Sequence, residues 1–316
     1  MEFLMKWLFL FIILFVQICN GLAQAYTSFL TPKTSVCSFP FPFDIPIYET
    51  CHSKHLFGEQ LANYVPTKLR HIVVVIPSYN NAQYYERNLA SVFAQDYENY
   101  SVCYVDDASS DGTGDLCKAY ITKMGQWHRT VLLQNKENKG ALANFYHIIN
   151  LCDPEAVIVN LDGDDSLAKK NVLSLINKVY DKFNVLVTYG SYQDMPYLGK
   201  PAIFCRAVSR DIIEKRSYRN ERIFSLSHLR TYKASLFQAI QKKDLIYEGK
   251  FFNAAVDLAI MYPVAEMAGS RIMHIPDILC QYNRETPLNK HKVAPGLQSV
   301  YAQIIKKRDV YPVIIE

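Results

Sequence analysis

The stretch His71-Ile72-Val73-Val74-Val75-Ile76-Pro77-Ser78-Tyr79-Asn80-Asn81 decides how this chain folds. Ile72 to Ile76 is an unbroken β-branched run, without the polar alternation of a strand that keeps one face in water. Such a run describes a strand buried on both faces, the habit of parallel sheets covered by helices on either side. Pro77 ends the run and a polar turn follows.

Downstream the same unit repeats. Asn80-Asn81 can cap a helix in which Tyr85, Leu89, Val92 and Phe93 recur at i, i+4, i+7 and i+8. Tyr100–Val105 reads as a second strand closing in Asp106-Asp107, Asp111–Met124 as a helix, and Thr130–Gln134 as a third strand. Ala141–Leu151 is helical, with Phe145, Ile148 and Ile149 on one side. Ala156–Leu161 is a fourth strand that runs into Asp162-Gly163-Asp164-Asp165; Ala168–Tyr180 is helical and Val185–Tyr189 a fifth strand. Strands alternating with helices of ten to fifteen residues predict an α/β fold, a Rossmann-like, mainly parallel central sheet with helices on both faces. Right-handed crossovers then bring the strands' carboxyl ends to one edge, where open α/β sheets bind ligands. Three polar clusters fall there: 77–81, 106–111 and 162–165. Their convergence is the main functional signal.

Several classes drop out. No Gly-x-Gly-x-x-Gly follows the first strand and no Walker loop occurs, which argues against dinucleotide and P-loop chemistry. The chain has 316 residues, half of them hydrophobic and one-fifth charged, with 12 Gly and 14 Pro. That is neither a disordered tail nor a collagen nor a disulfide-built miniprotein. A chain of this length buries ~75% of its extended surface, enough for a large core without staples. Lys and Arg number 34 against 30 Asp and Glu, a net charge of +4 with no basic block, so nothing suggests a nucleic-acid partner.

The amino terminus is far greasier than the mean hydropathy of −0.04 implies. Lys6, the apolar run Trp7–Val16 and Ala23-Gln24-Ala25 are the three parts of a secretory signal peptide, with cleavage expected after Ala25. Retention of residues 3–23 as a membrane anchor is the alternative. The expected location is therefore secreted, periplasmic or lumenal, or else membrane-anchored. Residues 26–69, rich in Pro, Thr and Ser, read as an extension or linker. Residues 70–290 form the main domain and 291–316 a C-terminal extension. Cys37 and Cys51 could bridge in an oxidising compartment. Cys103, Cys117, Cys152, Cys205 and Cys280 sit mostly in apolar runs as small buried hydrophobes, and no Cys-x-x-Cys pair suggests zinc.

Each cluster has a chemistry. Asp162, Asp164 and Asp165 crowd like charge at a strand end, which a cation relieves. A hard divalent ion, Mn²⁺ or Mg²⁺, takes one or two carboxylates and completes its shell with phosphate and water oxygens, so a nucleotide diphosphate is the natural ligand. The plainer reading makes these aspartates caps of a helix from Ser166. Asp106 can accept the imide N–H of a pyrimidine, whereas Asp107 and Asp111 also suit an ordinary Asx turn. Tyr79 can stack on a base.

Together, Val-Val-Val-Ile-Pro-Ser-Tyr-Asn-Asn (73–81), Val-Asp-Asp-Ala-Ser-Ser-Asp-Gly-Thr (105–113), Glu-Asn-Lys-Gly (137–140) and Asn-Leu-Asp-Gly-Asp-Asp (160–165) resemble the family 2 glycosyltransferases of GT-A fold. The blocks stand in the family's order and cover about residues 70–190. The resemblance implies a nucleotide-binding set of Pro77, Tyr79, Asn80, Asp106, Lys139 and Asp162, with Tyr79 and Asp106 on the base. Asp162 would contact the ribose or metal, and Asp164 would ligate the divalent ion that bridges the two phosphates.

The second half resembles the family's acceptor side more loosely, in His228-Leu229-Arg230-Thr231, Val256-Asp257-Leu258-Ala259 and Tyr282-Asn283-Arg284. It marks His228 and Arg230 as acceptor-side residues. Asp257 stands where inverting members carry the base that deprotonates the acceptor hydroxyl; its plainer reading is a helix-start aspartate. The carboxylate that many members carry beside it is absent, since position 256 is Val. Ala143-Asn144 lacks the Arg found in many members near the diphosphate. Lys139, or Lys290, His291 and Lys292, could supply that charge, although the trio also reads as a solvated basic face. No Gln-x-x-Arg-Trp and no multi-span region follow, which disfavours a processive polymer synthase.

The expectation is a metal-dependent, inverting, non-processive transferase that moves a sugar from a nucleotide diphosphate, UDP above all, to a hydroxyl on a glycan, lipid or protein. A secreted, inactive binding protein of the same fold is the rival that the signal peptide favours, because nucleotide sugars are not found outside cells. A nucleotidyltransferase is the third reading; it would show a Gly-rich, basic phosphate loop after the first strand.

Overall fold

The computed structural model describes residues 56–196, 205–287 and 295–314. The signal segment, Cys37, Cys51, Lys290, His291 and Lys292 lie outside the described residues. Strand β1 (Ile72–Ser78) is buried at every position, as its unbroken β-branched run requires. It is flanked in register by β2 (Tyr100–Asp106) and β4 (Val157–Asn160), both parallel to it, and β3 (Thr130–Gln134) adds to β2. Side chains alternate across the sheet. Val73 and Val75 pack on α4 (Ala141–Ile149) and α8 (Val256–Ala268). Ile72, Val74 and Ile76 pack on α2 (Tyr85–Phe93), α3 (Thr113–Lys123) and α5 (Val172–Phe183). The expected α/β sheet with helices on both faces is what forms.

Among the described residues the central sheet has eight strands in the order β3-β2-β1-β4-β7-β6-β10-β5. It contains β5 (Ser166–Leu167), β6 (Val187–Met195), β7 (Arg230–Lys233) and β10 (Ile272–Asn283). Strand β7 runs antiparallel to β4 and β6, and β5 antiparallel to β10; the other pairings are parallel. Not every strand therefore ends at the ligand edge, as successive crossovers alone would dictate. The reversed β7 begins there. Arg230 at its start pairs with Asn160 at the end of β4. A short hairpin of β8 (Ile246–Tyr247) and β9 (Lys250–Phe251) precedes α8.

Two helix starts differ from the expectation for local reasons. The Asn80-Asn81 pair does not cap α2 through its side chains. Asn80 takes a left-handed φ of 52° and accepts the Ser110 N–H, while the Asn81 amide donates to Ser78 Oγ. Helix α5 starts at Val172 rather than Ala168, because Ser166 and Leu167 pair with Gln281 and Cys280. That pairing also removes the helix-cap reading of the acidic cluster. Cys103, Cys117, Cys152 and Cys280 are buried free thiols, as expected. Cys205 is half-buried against the Tyr192 backbone.

Both ends of the described chain are tied down. Asp277 accepts the N–H groups of Phe57 and Gly58, and Asp181 accepts from Thr67 N, Tyr64 Oη and Arg70 Nη1. At the other end α9 (Pro295–Lys306) is fixed to α8 by a buried cross-brace. Arg219 meets Glu266 at 2.6 and 2.9 Å and donates to the Ile305 carbonyl, and Glu266 also accepts the Tyr311 N–H. Among the described residues no helix is long and apolar enough to cross a membrane.

Candidate active site

A cleft of about 610 Å³ opens at the edge where β1 and β4 end and β7 begins. Its floor is the end of β1. Ser78 Oγ accepts from the buried Tyr104 hydroxyl at 2.8 Å and from Asn81 Nδ2 at 2.9 Å, which fixes the turn. Tyr79 follows with 42% of its surface exposed, a free aromatic face in the cleft lining beside Pro77. Asn80 does not line the cleft; it stitches this turn to the Ser109-Ser110 loop.

The acidic loop 162–165 is held from beneath by α2. Buried Asn88 donates through Nδ2 to the carbonyls of Asp162 and Asp165, and Arg87 donates to the carbonyl of Asp164. Gly163 lies so close to β1 that a Cβ there would stand 2.6 Å from Ser78 Oγ and 2.7 Å from Ser78 Cβ. Its N–H donates to the Pro77 carbonyl at 3.2 Å. The backbone is thus clamped while Asp162 and Asp164 face the cleft. Asp165 turns inward, is 1% exposed and accepts the Asn283 N–H at 2.8 Å.

Carboxylate crowding marks this loop. Burial and the neighbouring Asp162 push the Asp164 carboxyl up to about 7. Burial, then Asp164 and Asp162, push Asp165 well above the usual range. Asp162 goes the other way: burial acts to raise it, but the His228 hydrogen bond and the His228 and Arg230 charges outweigh that. Ligating atoms of Asp162, Asp165 and His228 lie within 4.8 Å of one another. Burial and Arg230 hold the His228 imidazole below its ordinary pKa, toward the neutral form that ligates metals. Two carboxylates and an imidazole, with Asp164 alongside in the cleft wall, make a donor set that fits a divalent cation. The sequence already grouped Asp162, Asp164 and Asp165 as a cation-seeking cluster, with Asp162 and Asp164 as the metal ligands; His228 joins them only through the fold.

The expected base contact divides between two aspartates. Asp107 lines the cleft, whereas Asp106 does not; its Oδ2 would lie 2.4 Å from a Cβ on Gly114, beneath α3. Asp107 is itself used by the backbone, accepting from Asn135 Nδ2, Lys139 N and Gly140 N. Lys139 is exposed and outside the cleft lining, and its backbone N–H bonds Asp107. Asp111 makes the expected Asx turn, accepting from Thr113 N at the start of α3, and also accepts from Ala82 N.

His228, Arg230 and Asp257 line the same cleft beside the acidic loop. Arg230 links His228 to Asp257. Its Nη1 donates to His228 Nε2 at 3.1 Å, its Nη2 lies 3.4 Å from Asp257 Oδ2, and His228 Nε2 is 3.7 Å from Asp162 Oδ2. Asp257 sits in the first turn of α8 and accepts the Leu258 N–H at 3.0 Å, so the helix-start reading is true as well. Sequence reasoning missed Arg87, Asn88 and Gln298. The first two look like the polar face of an amphipathic helix. Gln298 belongs to α9 and touches the site only in space.

Comparison with known proteins fits this geometry. Residues 73–241 match the family described as Glycosyl transferase family 2. Glycosyltransferase GlyG of Streptococcus pneumoniae is 31% identical over 122 residues, 38% of this chain and 38% of that protein. Glycosyltransferase GlyA of the same organism is 24% identical over 182 residues, 58% of this chain but 25% of that protein. The chain therefore matches well under half the length of either relative. Among solved structures, S. aureus TarS 1-349 in complex with UDP-GlcNAc superposes with a TM-score of 0.56 at 18% identity, covering 74% of this chain and 65% of that one. The mannosyltransferase PcManGT of Pyrobaculum calidifontis, solved with GDP-Man and Mn²⁺, gives 0.50 at 18%, covering 78% and 68%. These likenesses show the GT-A fold. With more than half of its residues inside the matching family, its motif blocks on one sheet edge and that fold around them, the chain belongs to glycosyl transferase family 2.

Proposed function

We propose that this chain is a metal-dependent, inverting, non-processive glycosyltransferase that moves one sugar from a nucleotide diphosphate donor, UDP-linked, to a hydroxyl on a glycan, lipid or protein. One observation carries the reading: a single cleft is lined by Asp162, Asp164 and His228, part of or beside a metal-spaced donor cluster, and by a further carboxylate, Asp257. An in-line displacement at an anomeric carbon needs a base for the attacking hydroxyl as well as a site for the leaving diphosphate, and Asp257 takes the first part in this reading. In this reading Tyr79 stacks on the base, and Asp162, Asp164, Asp165 and His228 surround the diphosphate end. These residues would hold a divalent ion, Mn²⁺ or Mg²⁺, which would supply positive charge to the leaving diphosphate. Asp257 Oδ2 takes the proton of the acceptor hydroxyl. Arg230, within 3.4 Å of that oxygen, orients the carboxylate.

The test is transfer from UDP-, GDP- and dTDP-sugars to simple glycosides with Mn²⁺, on wild type and Asp257→Asn. Wild type is expected to transfer, whereas Asp257→Asn loses transfer by a factor of about 10²–10⁴ and keeps UDP–Mn²⁺ binding. Normal transfer by Asp257→Asn would remove the base assignment. A folded wild type that neither turns over a donor nor binds UDP with Mn²⁺ would sink the enzyme reading in favour of a glycan-binding protein.

A further inference from the structure

The family match ends at residue 241, yet the cleft is completed by a residue far beyond it. Gln298 on α9 lines the cleft together with Asn253, Ala254, Ala255 and Asp257. Its Oε1 accepts the N–H of Ala255 at 2.8 Å. Ala255 holds a left-handed φ of 52° and immediately precedes α8, whose second residue is Asp257. A non-glycine residue in that conformation needs outside support, and the Gln298 bond supplies it.

The same bond settles how the amide faces. A backbone N–H can be met only by the amide oxygen, so the NH₂ end is turned away from Ala255. It carries two donors, and neither is used among the described residues. The helix bearing Gln298 is not a loose tail. Lys306 Nζ donates to the Glu221 carbonyl, Arg219 donates to the Ile305 carbonyl, and Tyr301 packs edge-on against Phe252 at 5.0 Å. A fixed donor pair thus stands in the same cleft as a carboxylate acceptor.

We propose that Gln298 is an acceptor-recognition residue: its Nε2 donates to an oxygen of the incoming hydroxyl-bearing substrate, while its Oε1 positions the start of the helix that carries Asp257. The substrate class this fits is a polyol, typically a sugar. Its oxygens accept from the amide while its attacking hydroxyl donates to Asp257. This inference rests on the transferase reading above, with Asp257 on the acceptor side.

Two variants separate the two ends of the amide. Gln298→Glu keeps an oxygen for Ala255 and removes the donors; Gln298→Met removes both. Initial rates are measured against the p-nitrophenyl glycoside that wild type glycosylates fastest, with UDP–Mn²⁺ affinity by calorimetry and thermal midpoint as controls. Gln298→Glu should raise the acceptor KM about tenfold, the scale of one lost hydrogen bond, with UDP affinity unchanged. Gln298→Met should raise KM similarly and also lower kcat, because the start of the helix is released. An unchanged acceptor KM in Gln298→Glu, or a loss of UDP affinity equal to the KM effect, overturns the inference and leaves the transferase reading standing. A wild type that transfers to a lipid or protein hydroxyl but to no glycoside overturns the inference alone; one that neither turns over a donor nor binds UDP with Mn²⁺ overturns both.

Discussion

Gly163 offers the sharpest test of how the acidic loop is built. The loop's glycine has an obvious rival explanation, that it merely lends flexibility. The geometry says otherwise. A Cβ at position 163 would meet Ser78 Oγ at 2.6 Å, Asn81 Nδ2 at 2.7 Å and Ser78 Cβ at 2.7 Å. Ser78 cannot retreat. It lies in β1 between β2 and the acidic loop, and its hydroxyl is held by Tyr104. The loop must therefore move, against the Asn88 and Arg87 bonds that clamp its carbonyls. Overpacking of this kind costs ~1–3 kcal/mol. For a domain of this size each kcal/mol is worth about 2–4 °C, so Gly163→Ala should melt roughly 2–12 °C lower by calorimetry. A displacement that carries Asp162 and Asp164 should also weaken UDP–Mn²⁺ binding by on the order of tenfold to a hundredfold. Ser78→Gly removes both the Oγ and the Cβ contact. Gly163→Ala should then cost less in a Ser78→Gly background than alone, a coupling readable in a double-mutant cycle. Wild-type melting and UDP affinity in Gly163→Ala, or strict additivity in the cycle, would refute the close-approach argument.

Two other perturbations follow from the same packing. Asn88→Ala strands the carbonyls of Asp162 and Asp165 in a buried site, at a cost of about 1–3 kcal/mol per unmet group; calorimetry should show the loss, and hydrogen exchange should show it centred on residues 162–165. The Asp181 clip gives stability a pH dependence of known sign. Burial works to raise this carboxyl, but hydrogen bonds from Thr67, Tyr64 and Arg70 outweigh it and hold it below the usual range. A carboxyl depressed in the folded state stabilises above its unfolded value of about 3.9, and that contribution fades as pH falls through the folded value. The gap in melting temperature between wild type and Asp181→Asn should thus be full at pH 6 and shrink below about pH 4. A gap that stays constant across that range would rule the clip out as the source.

Much of the site was legible because local chemistry dictated it. The β-branched run at 72–76 had to be a doubly buried strand, and Asp162 and Asp164 had to emerge at its neighbour's end. Tyr79 was legible for the same reason. Asp106 was read as a cleft residue, yet side chains alternate across the sheet and its neighbour Asp107 is the one in the cleft lining. The Asn80-Asn81 cap failed because those side chains found partners across the turn, a competition that periodicity does not register.

The sequence by itself determined the strand–helix alternation, the sheet edge that gathers the acidic loop, and the kinship those blocks carry. Those features depend on residues near one another in the chain, where period and propensity act. Tertiary structure alone decided which distant residues join the acidic loop in the cleft. His228 and Arg230 reach Asp162 because β7 is reversed between β4 and β6, so that it starts where its neighbours end. Gln298 reaches the start of Asp257's helix because a buried Arg219–Glu266 brace docks α9 onto α8. Both depend on strand order and helix docking between distant segments, which burial energy summed over the whole core selects and no local pattern encodes.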